Sequence, residues 1–91
     1  MAAHSVFIRH RVADFDVWKA AFDDHGAVRR DHGLVDTSLL RDDDDANMVT
    51  IVLSTEDTAR AREFLASDGL RETMEGAGVV SPPEVWIAGD A

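Results

Sequence analysis

The chain contains no cysteine among its 91 residues. That excludes disulfides, thiolate metal centres and a cysteine nucleophile, and it says nothing firm about compartment. Basic residues are scarce: nine Lys and Arg stand against 18 Asp and Glu, for a net charge of −9. Phosphate-backbone or anionic-membrane binding needs clustered positive charge, so neither a nucleic-acid nor a membrane partner is expected. No long apolar run and no basic leader opens the sequence; Met1-Ala2-Ala3-His4 runs directly into a strand pattern. The expectation is no signal peptide and no membrane span, with the cytoplasm as the default location. Repeats and linkers are lacking too, and the only biased segment is Asp42-Asp43-Asp44-Asp45.

What is there fits one domain spanning 1–91. A domain this small buries roughly 60–65% of its unfolded surface, so association with a second copy would help it. Residues 4–12 alternate as a strand, with Val6, Ile8, His10 and Val12 on one face and Ser5, Phe7, Arg9 and Arg11 on the other. Both faces carry apolar residues, so both should be covered. Asp14 is placed to cap a helix running to residue 31, with Gly33 as its stop. At 100° per residue, Phe15, Trp18, Phe22, His25, Arg29 and His32 share an arc of about 100°.

Residues 34–41 and 48–54 read as two strands joined by the Asp-rich loop. Ser54 or Thr55 is the expected cap of the next helix, whose inner side uses Ala59, Ala61, Phe64 and Leu65. Ser67-Asp68-Gly69 breaks that helix. A short one follows, with Leu70, Met74 and Ala77 at helical spacing and Gly76 and Gly78 at its end. Pro82-Pro83 enforces an extended entry into a last strand at 84–88.

The order β-α-β-β-α-β in so short a chain predicts a ferredoxin-like α+β sandwich with an antiparallel sheet. One sheet face packs on the helices. The other, with Phe7, Val52 and Trp86 as contributors, is left for a partner. An RNA-recognition module of this topology needs basic residues and stacked aromatics on its sheet, and a heavy-metal chaperone needs Cys-x-x-Cys; neither pattern is present. An amino-acid-sensing regulatory domain stays open on topology, although Trp18 and Pro82-Pro83 do not suggest one.

The strand ending His10-Arg11-Val12, followed by Ala13-Asp14-Phe15 and Trp18, resembles the dimeric α+β barrel superfamily. So do the Asp-rich hairpin ending in Asn47, the Ser67-Asp68-Gly69-Leu70 break, and the Met74…Ala77-Gly78-Val79…Pro82-Pro83 tail. Within it the chain is similar to small bacterial proteins of the antibiotic biosynthesis monooxygenase or cyclase type. The resemblance implies a homodimer whose sheets face each other, with a pocket in each monomer between sheet and helices. It further implies action on aromatic or polyketide-like compounds, often with no cofactor.

Two residues are the candidate catalytic groups. His25 lies on the helix seam beside Trp18 and Phe22, where an apolar wall would keep its ring neutral and available as a base near neutral pH. His10, on the Val6–Ile8 row, approaches from the strand, so the two rings can bracket one substrate. The bland alternative for each is a satisfied histidine bonded to backbone. His32 is expected at a solvent-facing helix end, where it only complements the helix dipole. Trp18, Phe22, Ile8, Phe64, Met74 and Trp86 are the candidate substrate contacts, Leu65 another apolar wall residue, and in this fold pocket wall and core are largely the same residues. Arg9 and Arg11 point to the opposite face, where salt bridging at a dimer interface is expected. The Asp run lacks the spaced ligands, glycine and terminal Glu of a calcium loop and is expected as a solvated tip. His25 and His32 are seven apart, not the i, i+4 of a helical metal pair, so no metal and no haem is expected.

Three functions remain in competition. A cofactor-free monooxygenase would deprotonate an electron-rich phenol and let the anion reduce O₂. A cyclase or isomerase would use the same base to form an enolate. A non-catalytic small-molecule-binding dimer needs no base. The first two share their first step, so the sequence does not separate them; the monooxygenase is the expected function, with the cyclase or isomerase as one alternative and the binding dimer, favoured by the lack of an acid/base pair set by sequence spacing, as the other.

Overall fold

The structure, a computed structural model, describes residues 3–91; Met1-Ala2, which open the sequence ahead of the first strand, lie outside the described residues. Eight elements follow in order: β1 (His4–Arg11), α1 (Phe15–Asp24), α2 (Gly26–Asp31), β2 (Val35–Arg41), β3 (Met48–Thr55), α3 (Thr58–Leu65), α4 (Asp68–Gly76) and β4 (Glu84–Gly89). The strands form one sheet in the order β2-β3-β1-β4, and every neighbouring pair is antiparallel. This is the ferredoxin-like α+β fold expected from the element order.

Register places the core. Val6 pairs with Leu53, Ile8 with Ile51 and His10 with Val49. All six side chains point to one sheet face and are buried. Trp18 of α1, Ala61 of α3 and Leu34 complete the core against that face. The alternate residues Phe7, Thr50 and Val52 point to the other side and are only half-buried. The period-2 pattern thus becomes two chemically different sheet faces.

The helical half departs from the expected single helix after β1. Asp14 does cap it, its Oδ1 accepting from the backbone N–H of Asp16 at 2.9 Å. The helix then breaks at His25, which ends α1 and begins α2. At the break the His25 N–H is shared between the carbonyls of Ala21 and Phe22, each at 3.2 Å, and the Phe22 carbonyl also accepts from Nη1 of Arg29 at 2.8 Å. A carbonyl held by a guanidinium no longer depends on the helical ladder. The second helical half is likewise split, as expected, at Ser67. That residue is the cap of α4, its Oγ accepting from the Leu70 N–H at 3.2 Å. The cap of α3 is Asp57, two residues after Thr55, because Thr55 instead exchanges bonds with the backbone of Asp57. Ala59 is therefore turned to solvent and is not an inner residue of α3.

Gly33 stops the helical half as expected, and the reason is its φ of +77°. A side chain there meets the left-handed-region penalty. Gly33→Ala is expected to lower stability by about 1 kcal/mol, and Gly33→Asn by less. Chemical denaturation of the two variants checks the order.

The Asp-rich loop is not merely a solvated tip. Arg9 pairs with Asp42 at 2.6 Å and Arg11 pairs with Asp45, so both arginines are engaged within the chain. The Asn47 backbone N–H, with the Arg11 guanidinium, holds the Asp45 carboxyl below its usual range. Among the described residues, no helix is long and apolar enough to cross a membrane.

Candidate functional site

A cavity of about 330 Å³ lies between the inner sheet face and the helices. Its closed end is made by Ile8, His10, Ile51 and Leu53 from the sheet and Trp18 from α1, all buried. Phe22 and Leu65 continue the wall, and Phe64, Leu70 and Met74 close it from the second helical half. Val28 and Gly69 are lining residues exposed to solvent, which places the mouth between α2 and the start of α4. A dry, empty cavity of about 150 Å³ holds one benzene ring, so this space suits on the order of two fused rings.

The aromatic wall is ordered by mutual contact. Trp18 stacks on Phe22 with centroids 5.0 Å apart, and meets the His10 ring edge-on at 5.6 Å. Phe22 is held from behind by Arg29, whose guanidinium carbon lies 3.6 Å from the ring centroid. Arg29 is itself fixed by a two-point pair with Asp36, Nε to Oδ1 at 2.8 Å and Nη2 to Oδ2 at 2.9 Å. Asp36 reaches the helix side because β2 slips register between Asp36 and Ser38, which sets Asp36 opposite the inward-facing Leu53. One bulge therefore orients one carboxylate, which orients the guanidinium, which fixes both the ring and the carbonyl of Phe22.

Three imidazoles line this one cavity: His10, His25 and His32. They differ in environment. His10 is 1% exposed, and neither ring nitrogen has a hydrogen-bond partner among the described residues. Burial in an apolar wall penalises the charged ring and lowers the His10 pKa from its ordinary 6.5. His25 is only half-buried, with Nδ1 bonded to the Ala21 carbonyl at 3.0 Å. The desolvated histidine of the cavity is thus the strand residue, not the seam residue the helix pattern favoured. The helical wheel could not show this, because it treats 14–31 as one helix and hides the break at His25.

His32 is a second correction. It was expected to face solvent, but it is half-buried, lines the cavity and stacks on Phe64 at 4.3 Å. Trp86 is the third: expected both on the open sheet face and among the substrate contacts, it lies on the open face, stacked on Phe7 at 5.3 Å and 44% exposed, and is not among the cavity's lining residues. Its pairing with Phe7 across β1 and β4 puts it there. The other expected contacts, Ile8, Trp18, Phe22, Phe64 and Met74, are brought together at the cavity with His10 and His25. Sequence reasoning gave no role to Arg29; its place on the apolar stripe was the signal. Among the described residues, no group of three or more His, Asp or Glu converges as a metal site.

No protein-family model matches the chain, and no curated protein matches it in sequence. Solved structures do match in shape. A Bordetella bronchiseptica protein provisionally named an antibiotic biosynthesis monooxygenase is 15% identical, with a TM-score of 0.80 over 100% of this chain and 99% of that one. SnoaB, a cofactor-independent oxygenase from Streptomyces nogalater, is 20% identical, with a TM-score of 0.71 over 100% and 97%. A Caulobacter crescentus protein, also provisionally named an antibiotic biosynthesis monooxygenase, is 13% identical, with a TM-score of 0.73 over 99% and 91%. At these identities the likeness is one of fold: the chain has the ferredoxin-like α+β architecture of the antibiotic biosynthesis monooxygenase structures.

Proposed function

We propose that this protein is a cofactor-independent monooxygenase acting on a hydroxylated aromatic or polyketide-like compound, working as a homodimer. The observation that carries the reading is the buried His10 ring, with both nitrogens unpaired, at the closed end of an apolar cavity. A buried polar group without a partner is costly, and a ligand hydroxyl would satisfy it. The lowered pKa keeps the imidazole neutral, and so available to take the proton of a bound phenol, down to a pH below its ordinary 6.5. The phenolate then gives an electron to O₂. Recombination of the radical pair at the para carbon gives a peroxide anion, which takes the proton back from His10 to become C–OOH, and loss of water with the hydrogen of that carbon leaves a quinone carbonyl. The phenol loses two hydrogens and gains one oxygen; the second oxygen leaves as water. Trp18 and Phe22 hold the ring plane, and the dry wall keeps the anion short-lived but reactive. SnoaB, of the same fold, is a cofactor-independent oxygenase, which supports this choice among reactions sharing a base.

The test is an oxygen-electrode assay with a naphthol or anthrone substrate and chelator-dialysed protein. One O₂ consumed per quinone formed is expected. Turnover that continues without O₂ would replace the reading with a cyclase or isomerase. Saturable quenching of Trp18 with no turnover of any such compound would leave a binding dimer.

A further inference from the structure

His25 and His32 lie seven residues apart on either side of α2, and their rings are tied down in the same way. Nδ1 of His25 bonds the carbonyl of Ala21 at 3.0 Å, and Nδ1 of His32 bonds the carbonyl of Val28 at 2.8 Å. Each partner is the carbonyl four residues earlier. A carbonyl oxygen only accepts, so Nδ1 must be the protonated nitrogen of both rings. In the neutral ring the lone pair is then on Nε2, and neither Nε2 has a hydrogen-bond partner among the described residues. Both rings line the cavity. The α2 side of the cavity thus carries two fixed acceptors. The one Lys or Arg among the cavity's described lining residues, Arg29, is already paired with Asp36 and with the Phe22 carbonyl. The cavity wall on that side offers hydrogen-bond acceptors and no unpaired cation, while Arg60 lies outside it in the groove beside His32 and donates to the Asp31 carbonyl.

We infer that His25 and His32 determine specificity by reading an edge of hydrogen-bond donors, so that the ligand is an uncharged aromatic with at least one further hydroxyl besides the one facing His10. This rests on the proposed function, since it assumes that an aromatic compound occupies the cavity. Hydroxyls directed at α2 meet lone pairs. Ether or carbonyl oxygens in the same places meet acceptor against acceptor. A carboxylate there meets two lone pairs and no unpaired cation in the cavity wall, on a chain of net charge −9.

The experiment compares three probes by calorimetry at pH 8.5: 1,3-dihydroxynaphthalene, 1,3-dimethoxynaphthalene and 3-hydroxy-2-naphthoate. The dihydroxy probe is expected to bind about tenfold tighter than either of the others, the ratio that one or two neutral hydrogen bonds give. His25→Asn and His32→Asn keep a donor for the i−4 carbonyl but delete the outer acceptor. Combined, they should bring the dihydroxy and dimethoxy affinities within about twofold of each other. His25→Gln, whose side-chain oxygen reaches the Nε2 position, should restore part of the preference. Nitrogen NMR of the wild-type imidazoles gives a measurement that needs no variant: the dihydroxy probe should move both Nε2 resonances and leave Nδ1 protonated. An undiminished preference in the double variant, or unmoved Nε2 resonances with the probe bound, overturns the inference alone. Failure of all three probes to bind wild type overturns the proposed function with it.

Discussion

Replacing His10 with Ala is expected to lower turnover of a phenolic substrate by about 10²-fold or more, the usual loss of a general base. The expectation follows from position, not only residue type. The ring projects from β1 into the closed end of the cavity, with Trp18 edge-on at 5.6 Å and no protein partner for either nitrogen. His10→Gln fills the space and keeps a hydrogen-bonding group but cannot take a proton near neutral pH. It should preserve aromatic binding and lose turnover, which separates chemistry from packing. Equal turnover in wild type and both variants would remove His10 from the mechanism.

The pH dependence has a definite sign. The base is active when neutral, and burial lowers its pKa below 6.5. Activity should be flat through neutrality and fall only on the acid side, with a midpoint under 6.5 that is absent in His10→Gln. Stability carries the same signature. Below pH 6.5 the unfolded chain protonates this histidine while the folded chain resists it, so the unfolded state binds more protons. The native state therefore loses stability as pH falls from 6.5 toward the lowered folded value. His10→Gln should remove that part of the acid slope, read from denaturation midpoints between pH 7 and pH 5.

The sheet was the legible part of this chain. The alternation Val6-x-Ile8-x-His10 and Val49-x-Ile51-x-Leu53 fixes which face is buried, and the register joins these rows residue by residue. The stops at Gly33 and Ser67 were legible too, since each has a local physical cause. The helix break at His25 was not. It depends on Arg29 reaching back to the Phe22 carbonyl while held by Asp36, and Asp36 is turned inward by a bulge no local pattern marks. The same gap explains the site. Aromatic residues at helical spacing named most of the wall, but a wheel cannot say whether His25 or His10 is the more desolvated, or that His32 turns back onto Phe64. Trp86 was read onto both the open face and the wall because a short edge strand gives little period to read; its partner Phe7 shows that it lies on the open face.

Trp86→Glu is expected to convert a dimer into a monomer at micromolar concentration. The outer sheet face carries the Phe7–Trp86 stack at its β1–β4 side, with Val52 beside it on β3 and Leu40, 54% exposed, on β2. The core-forming helix contacts lie on the opposite face, so no helix among the described residues covers these side chains. A sheet surface that mixes these apolar side chains with Arg9, Thr50 and Glu84, in so small a domain, gains most by burying against its own copy, which offers the same surface by twofold symmetry. An exposed Trp stacked on a neighbouring ring of such a face has the character of a binding hot spot, where truncation costs about 2–4 kcal/mol or roughly 30- to 1,000-fold in dissociation constant. A carboxylate at the same place adds desolvation in both copies at once, because symmetry repeats the change. Sedimentation should therefore show wild type as a dimer and Trp86→Glu as a monomer, with Trp86→Phe near wild type because it keeps the stack on Phe7. The cavity faces the other way, so ligand quenching of Trp18 should survive in Trp86→Glu. A wild-type chain that sediments as a monomer at 100 µM would refute the dimer, and Trp86 would need another partner.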